Sequence, residues 1–173
     1  MSASWSDEVA AALAPKGRTL VITLGSTLRA DDGVGPYVYS RAAPGLRLEP
    51  GAEDAGRTPL LRLLDAGTTP ESVAQTAINW KPDKIILIDA AHFRGAAGEL
   101  RVIPLEAINQ ATAVSTHSFP LSVTFSVIRE DTKAELVVIG VQARSLDYQE
   151  GLSPEVERAG AELAASLSSA GGA

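Results

Sequence analysis

The sequence predicts an α/β fold three layers deep, a twisted, mostly parallel sheet flanked by helices on both faces. Thr19–Leu24 and Lys84–Asp89 hold short unbroken apolar runs rather than an in–out alternation, which suits strands buried on both faces. Segments with helix start signals lie between such runs along the whole length, and strand–crossover–strand order makes neighbouring strands parallel. No internal repeat or shift of composition divides the 173 residues, so one domain spanning 1–173 is expected.

Taken in order, Ser6 to Leu13 reads as a short helix stopped by Ala14-Pro15. Thr19–Leu24 is the first strand, cut off by Gly25. After a polar loop, Gly35-Pro36 opens a helix to about Ala42, with proline suited to a first turn. Pro44 to Pro59, rich in Gly, Pro and acids, reads as a surface excursion holding a short strand at Leu46 to Glu49. Leu60 to Leu64 leads into Asp65-Ala66-Gly67. Thr69 is placed to cap a helix with Pro70 at its first position, running to Trp80 and broken by Lys81-Pro82-Asp83. Lys84–Asp89 is a strand tipped by an acid, and Glu99 to Ile103 another. A helix runs from Pro120 to about Arg129, and Glu135 to Val141 is a further buried strand. Ser153-Pro154-Glu155 caps a last helix reaching Leu167, with 168–173 left as a flexible tail.

Composition narrows the function classes. Hydrophobic residues make up 45 % and charged residues 21 %, the balance of a globular chain. The net charge is −6 with no block of Lys and Arg, which argues against nucleic acid or an anionic membrane as partner. With no cysteine, thiolate nucleophiles, iron–sulfur clusters and Cys-type zinc sites are excluded. The first residues lack the basic-then-apolar pattern of a signal peptide, and no apolar run approaches the roughly 20 residues of a membrane helix. A cytoplasmic location without membrane insertion is expected.

Sites in parallel sheets gather at the carboxyl ends of the strands. There the fold would collect Asp31-Asp32, Asp89 and Thr116-His117-Ser118. Two carboxylates and an imidazole suit a divalent transition metal. Asp31 and Asp32 also fit a helix cap. Asp89 is less easily dismissed, because a carboxylate at a buried strand tip must be hydrated, paired or metal-bound. Nothing local separates His92 from His117. Ser115, Ser118 and Ser153 invite a serine-hydrolase reading that no G-x-S-x-G elbow supports, and Gly25-Ser26-Thr27 lacks the lysine and glycine spacing of a phosphate loop.

Gly25-Ser26-Thr27-Leu28-Arg29-Ala30-Asp31-Asp32-Gly33-Val34-Gly35 resembles the glycine-and-acid loop of the nickel–iron hydrogenase maturation endopeptidases. Asp65-Ala66-Gly67-Thr68-Thr69-Pro70-Glu71 is similar to that family's second motif. Ile88-Asp89-Ala90-Ala91 resembles its strand-end acid, and Ser115-Thr116-His117-Ser118-Phe119-Pro120-Leu121 its histidine motif. Ile139-Gly140-Val141-Gln142 and Gly151-Leu152-Ser153-Pro154-Glu155-Val156 fit the closing strand and last helix. The segments keep the family's order and cover nearly the whole chain.

The resemblance implies that Asp32, Asp89 and His117 are the catalytic, metal-contacting trio and that His92 is a bystander. It implies cleavage of the C-terminal extension of a hydrogenase large-subunit precursor, with nickel supplied by that precursor. Ser26 where Asn is usual, Ala143 where Pro is usual, and a longer Pro44–Pro59 excursion depart from the pattern. The rival readings are a hydrolase carrying its own metal and acting on another substrate class, and a non-enzymatic nucleotide-binding module.

Overall fold

The structure, a computed structural model, describes residues 5–48, 61–111 and 121–172. The first helix, α1 (Asp7–Leu13), is capped by the Ser6 hydroxyl, which accepts from the Val9 amide at 3.3 Å. It leads into β1 (Thr19–Leu24), and α2 (Val34–Arg41) carries the chain to β2 (Leu61–Gly67). Next, α3 (Ala74–Trp80) leads to β3 (Lys84–Ala91). After β4 (Leu100–Ile103) come α4 (Ile108–Ala111) and α5 (Leu121–Thr132), then β5 (Glu135–Gln142) and α6 (Pro154–Ala170).

The strands form one sheet in the order β2-β1-β3-β5-β4, parallel except for β4, which runs antiparallel along β5. Every residue of β1 and of β3 is buried, as the apolar runs Leu20–Ile22 and Ile85–Ile88 require of central strands. Alternate residues feed opposite layers. Val21, Ile86, Ile88 and Val141 pack under α1, α2 and α6 through Val9, Val38 and Leu163. Leu20, Ile22, Ile85 and Leu87 pack under α3, α4 and α5 through Trp80, Ile108, Leu121 and Phe125.

From β1 the chain crosses to β2 on one side, and from β3 it proceeds to β5 on the other. The carboxyl ends of β1 and β3 therefore flank the point where strand order reverses. A crevice for a ligand opens at such a point.

Several local expectations are corrected. Thr69 makes no side-chain cap, and Pro70–Val73 is a 3-10 turn ahead of α3. Ser153 holds the N-cap position of α6 but its hydroxyl is engaged elsewhere. Expected to end at Leu167, α6 continues to Ala170, and Ser168 Oγ accepts from the Ala43 amide at 2.9 Å, so the assumed tail begins inside a docked helix. Of the 44–59 excursion, Pro44–Leu46 is a 3-10 turn, and Arg47 makes an isolated parallel bridge to Leu63, with the Leu48 amide donating to the Leu63 carbonyl at 2.9 Å. The rest of that excursion lies outside the described residues. No helix among the described residues is long and apolar enough to cross a membrane.

Candidate active site

The loop after β1 is shaped by its glycines. Gly25 has φ 132°, and a Cβ there would sit 1.8 Å from the Asp32 carbonyl oxygen. A Cβ on Gly35 would meet the Leu24 carbonyl oxygen at 2.0 Å. Only glycines let the loop fold back so tightly onto the strand end. The result is a 3-10 turn, Ala30–Gly33, with both aspartates buried. The Ser26 amide donates to Asp32 Oδ2 at 2.8 Å. This brace is a backbone group, so the serine in place of asparagine leaves it intact.

Neither acid caps α2, whose N-cap is Gly33 without a side-chain bond. Asp31 is instead a clamp. Its Oδ2 accepts from the Arg144 and Ser145 amides at 2.7 and 3.1 Å, and its Oδ1 from the Ser153 amide at 2.7 Å. Ser153 Oγ donates at 2.9 Å from either oxygen. The carboxylate thus satisfies donors at the N-terminus of α6, where a negative charge is favoured, and ties the β1 loop to the β5–α6 loop. Ser153 is thereby occupied as a donor and does not serve as a nucleophile. Ser115 and Ser118 lie outside the described residues.

Asp89, at the carboxyl end of β3, pairs with Gly140 of β5 in the sheet and points into the layer beneath α3 and α5, as Ile85 and Leu87 do. It is 0 % exposed, and among the described residues neither carboxyl oxygen has a hydrogen-bond partner. Burial, and next the nearby Asp32, push its pKa well above the ordinary carboxylate range; the Ala90 amide offsets this in part without a well-formed bond. Asp89 therefore holds its proton to higher pH than an exposed aspartate. A buried carboxyl without donors is satisfied by a proton or by a cation.

Gln142, the last residue of the closing-strand motif, has a task that its pattern does not disclose. Buried at the end of β5, it accepts through Oε1 from the Phe93 and Gly95 amides at 2.9 and 3.1 Å. Its Nε2 donates to the Ala143 carbonyl at 2.8 Å and stands 3.2 Å from His92 Nδ1. With Oε1 facing two donors, the amide orientation is fixed and His92 Nδ1 is the acceptor. Gln142 thus pins the loop that follows Asp89, and His92, an exposed residue, hangs from that brace. Ala143 donates its amide to the Ala91 carbonyl at 3.0 Å, a bond that proline in its place would lack.

The structure therefore brings Asp32 and Asp89 together at the reversal point, with the 3-10 turn packed on β3. His117 lies outside the described residues. The helices that flank its segment, α4 and α5, cover the face into which Asp89 points. Among the described residues no group of three His, Cys, Asp or Glu is placed to hold a metal. The arrangement is a buried pair of carboxyls, able to hold a proton or take up a cation.

Comparison with known proteins gives a consistent result. The family model described as hydrogenase maturation protease matches residues 52–170. A putative hydrogenase maturation protease of Methanocaldococcus jannaschii is 28 % identical over 150 residues, covering 87 % of this chain and 86 % of the relative. The hydrogenase 3 maturation protease of Escherichia coli K12 is 24 % identical over 71 % of each chain. Among solved structures, the NiFe hydrogenase maturation protease HycI from Thermococcus kodakarensis superposes with a TM-score of 0.77 at 28 % identity, covering 96 % of this chain and all (100 %) of that one.

Proposed function

Because this chain belongs to the hydrogenase maturation protease family, and is therefore a peptidase, we propose that it removes the C-terminal extension from the nickel-loaded large-subunit precursor of a nickel–iron hydrogenase. The observation that carries the reading is Asp89: a fully buried carboxyl at the strand-reversal point, beside a second carboxyl, with no donor satisfying it among the described residues.

In this reading Asp32, Asp89 and His117 meet nickel that arrives with the substrate. Two carboxylates and an imidazole are a donor set suited to that ion. The metal supplies positive charge that polarises the peptide group to be cut. The chain's own residues do the rest. The Ser26 amide fixes Asp32, Gly25 and Gly35 press the loop against the sheet, and Asp89 gives up its proton as the cation arrives. A precursor without nickel offers nothing for these ligands to grip, so specificity rests on the difference in affinity between two precursor states.

The test uses chelator-stripped enzyme and a large-subunit precursor with and without nickel, read by mass. The stripped enzyme is expected to shorten the loaded precursor and to leave the nickel-free one intact at high enzyme concentration. Stripped enzyme that is inert on the loaded precursor, and revived by added zinc, would replace this reading with a resident-metal hydrolase.

A further inference from the structure

The joined loops after β1 and β5 carry features that cleavage chemistry does not use. Leu28, in the same loop as Asp32, is 58 % exposed, and Tyr148, in the loop after β5, is 88 % exposed. Between them lies Arg29, its guanidinium 5.8 Å from the Tyr148 ring centroid. Arg29 Nε is buried without a hydrogen-bond partner, and Arg29 has no ion pair, among the described residues.

These side chains stand on a stiff frame. The Ala30 amide donates to the Gln149 carbonyl at 2.8 Å, the Asp31 amide to the Ser145 carbonyl at 3.1 Å, and Arg29 and Gln149 form a parallel bridge. The Asp31 clamp locks the same two loops from beneath.

We propose that Leu28, Arg29 and Tyr148 form the seat on which the body of the hydrogenase large-subunit precursor docks; the proposal rests on the endopeptidase reading above. Position argues for that occupant, since Leu28 and Arg29 stand within four residues of Asp32 on the same loop, and the Ala30 and Asp31 amides tie that loop to the one carrying Tyr148. Composition agrees, because tyrosine and arginine are the residue types that dominate binding energy at protein interfaces, and pre-ordered loops lower the cost of docking. Charge adds a requirement. On a chain of net charge −6 the patch presents a cation without a carboxylate partner among the described residues, so the complementary surface is apolar with a carboxylate set in it.

The experiment measures affinity for the nickel-loaded precursor by calorimetry, and cleavage by mass, for wild type, Tyr148→Ser, Leu28→Ser and Arg29→Gln. Val127→Ser serves as control, an exposed apolar residue on α5, 52 % accessible. Tyr148→Ser is expected to weaken binding about tenfold and the other two patch variants severalfold, with cleavage at saturating precursor retained and the control unchanged. Patch variants that bind within about twofold of wild type, or a control that loses as much, overturn the proposal. So does a wild-type dimer that Tyr148→Ser breaks, which would assign the patch to a second copy. A wild type that binds through the patch yet never cuts would leave the seat standing and remove the endopeptidase reading alone.

Discussion

Asp31 and Asp89 are both 0 % exposed, both aspartates, and both at the carboxyl edge of one sheet, yet their surroundings are opposite. Three backbone amides and a hydroxyl surround Asp31, drawn from a loop and a helix start more than a hundred positions away. Asp89 has no donor among the described residues and a second carboxyl close by. Removing a donor from a buried carboxylate whose lone pairs are filled costs stability, whereas a buried carboxyl without donors already costs stability until a proton, a cation or another group satisfies it. Burial alone does not separate a structural acid from a reactive one. The count of donors does.

That contrast sets the largest expected effects. Asp89→Asn should lower precursor cleavage by about 10³-fold while leaving the melting temperature of the metal-free protein unchanged or raised. Asp31→Asn should do the reverse. Its amide would turn N–H against N–H, cost about 3 kcal/mol of stability, and reduce cleavage chiefly through unfolding, recoverable on cooling. Circular-dichroism melts and mass-detected cleavage on both variants break the comparison if Asp31→Asn melts like wild type, or if Asp89→Asn still cuts.

The two histidines sharpen it next. His117→Ala is expected to reduce cleavage by about 100-fold or more, because the proposed trio would lose its imidazole. His92→Ala should stay within about twofold, since His92 is exposed and only leans on Gln142, whose other bonds hold the loop without it. Equal losses from the two would mean that the wrong imidazole has been placed in the trio.

What the sequence disclosed follows from the range of the forces involved. The boundaries of β1, cut off by Gly25, and the start of α1 near Ser6 were legible because apolar runs and their breakers act over a few residues. The antiparallel direction of β4 was not, since four residues of strand carry no sign of direction. Ser153 read as a capping serine from Ser-Pro-Glu, but its hydroxyl was captured by Asp31 from 122 positions away. Asp31 and Asp32, neighbours in sequence, could not be told apart by pattern; in the 3-10 turn one reaches toward Ser153 and the other toward Ser26. Gln142 shows the same limit: its partners at 93 and 95 become neighbours once β3 and β5 pair.

The smallest effect concerns pH. For the metal-free protein, Asp89 binds a proton in the folded state across a range where the unfolded chain, with an ordinary value of 3.8, has released it. Stability changes with pH as the protons bound by the unfolded state minus those bound by the folded state, which is negative here. The Asp89 contribution is therefore full below pH 3.8, declines as pH rises toward the raised folded value, and is flat beyond it. Its slope cannot exceed one proton, about 1.4 kcal/mol per pH unit. Glu99 and Glu130, whose pKa values are lowered by their hydrogen bonds to Arg101 and Lys133, pull the opposite way, so the absolute curve mixes signs. The difference between wild type and Asp89→Asn cancels them and leaves the Asp89–Asp32 pair. Denaturant titrations of both proteins in chelator, from about pH 4 to 8, should show the variant gaining on wild type as pH rises. Two parallel curves would mean that Asp89 ionises in its buried site as readily as in water, and that the contrast with Asp31 is one of hydrogen-bond count without electrostatic consequence.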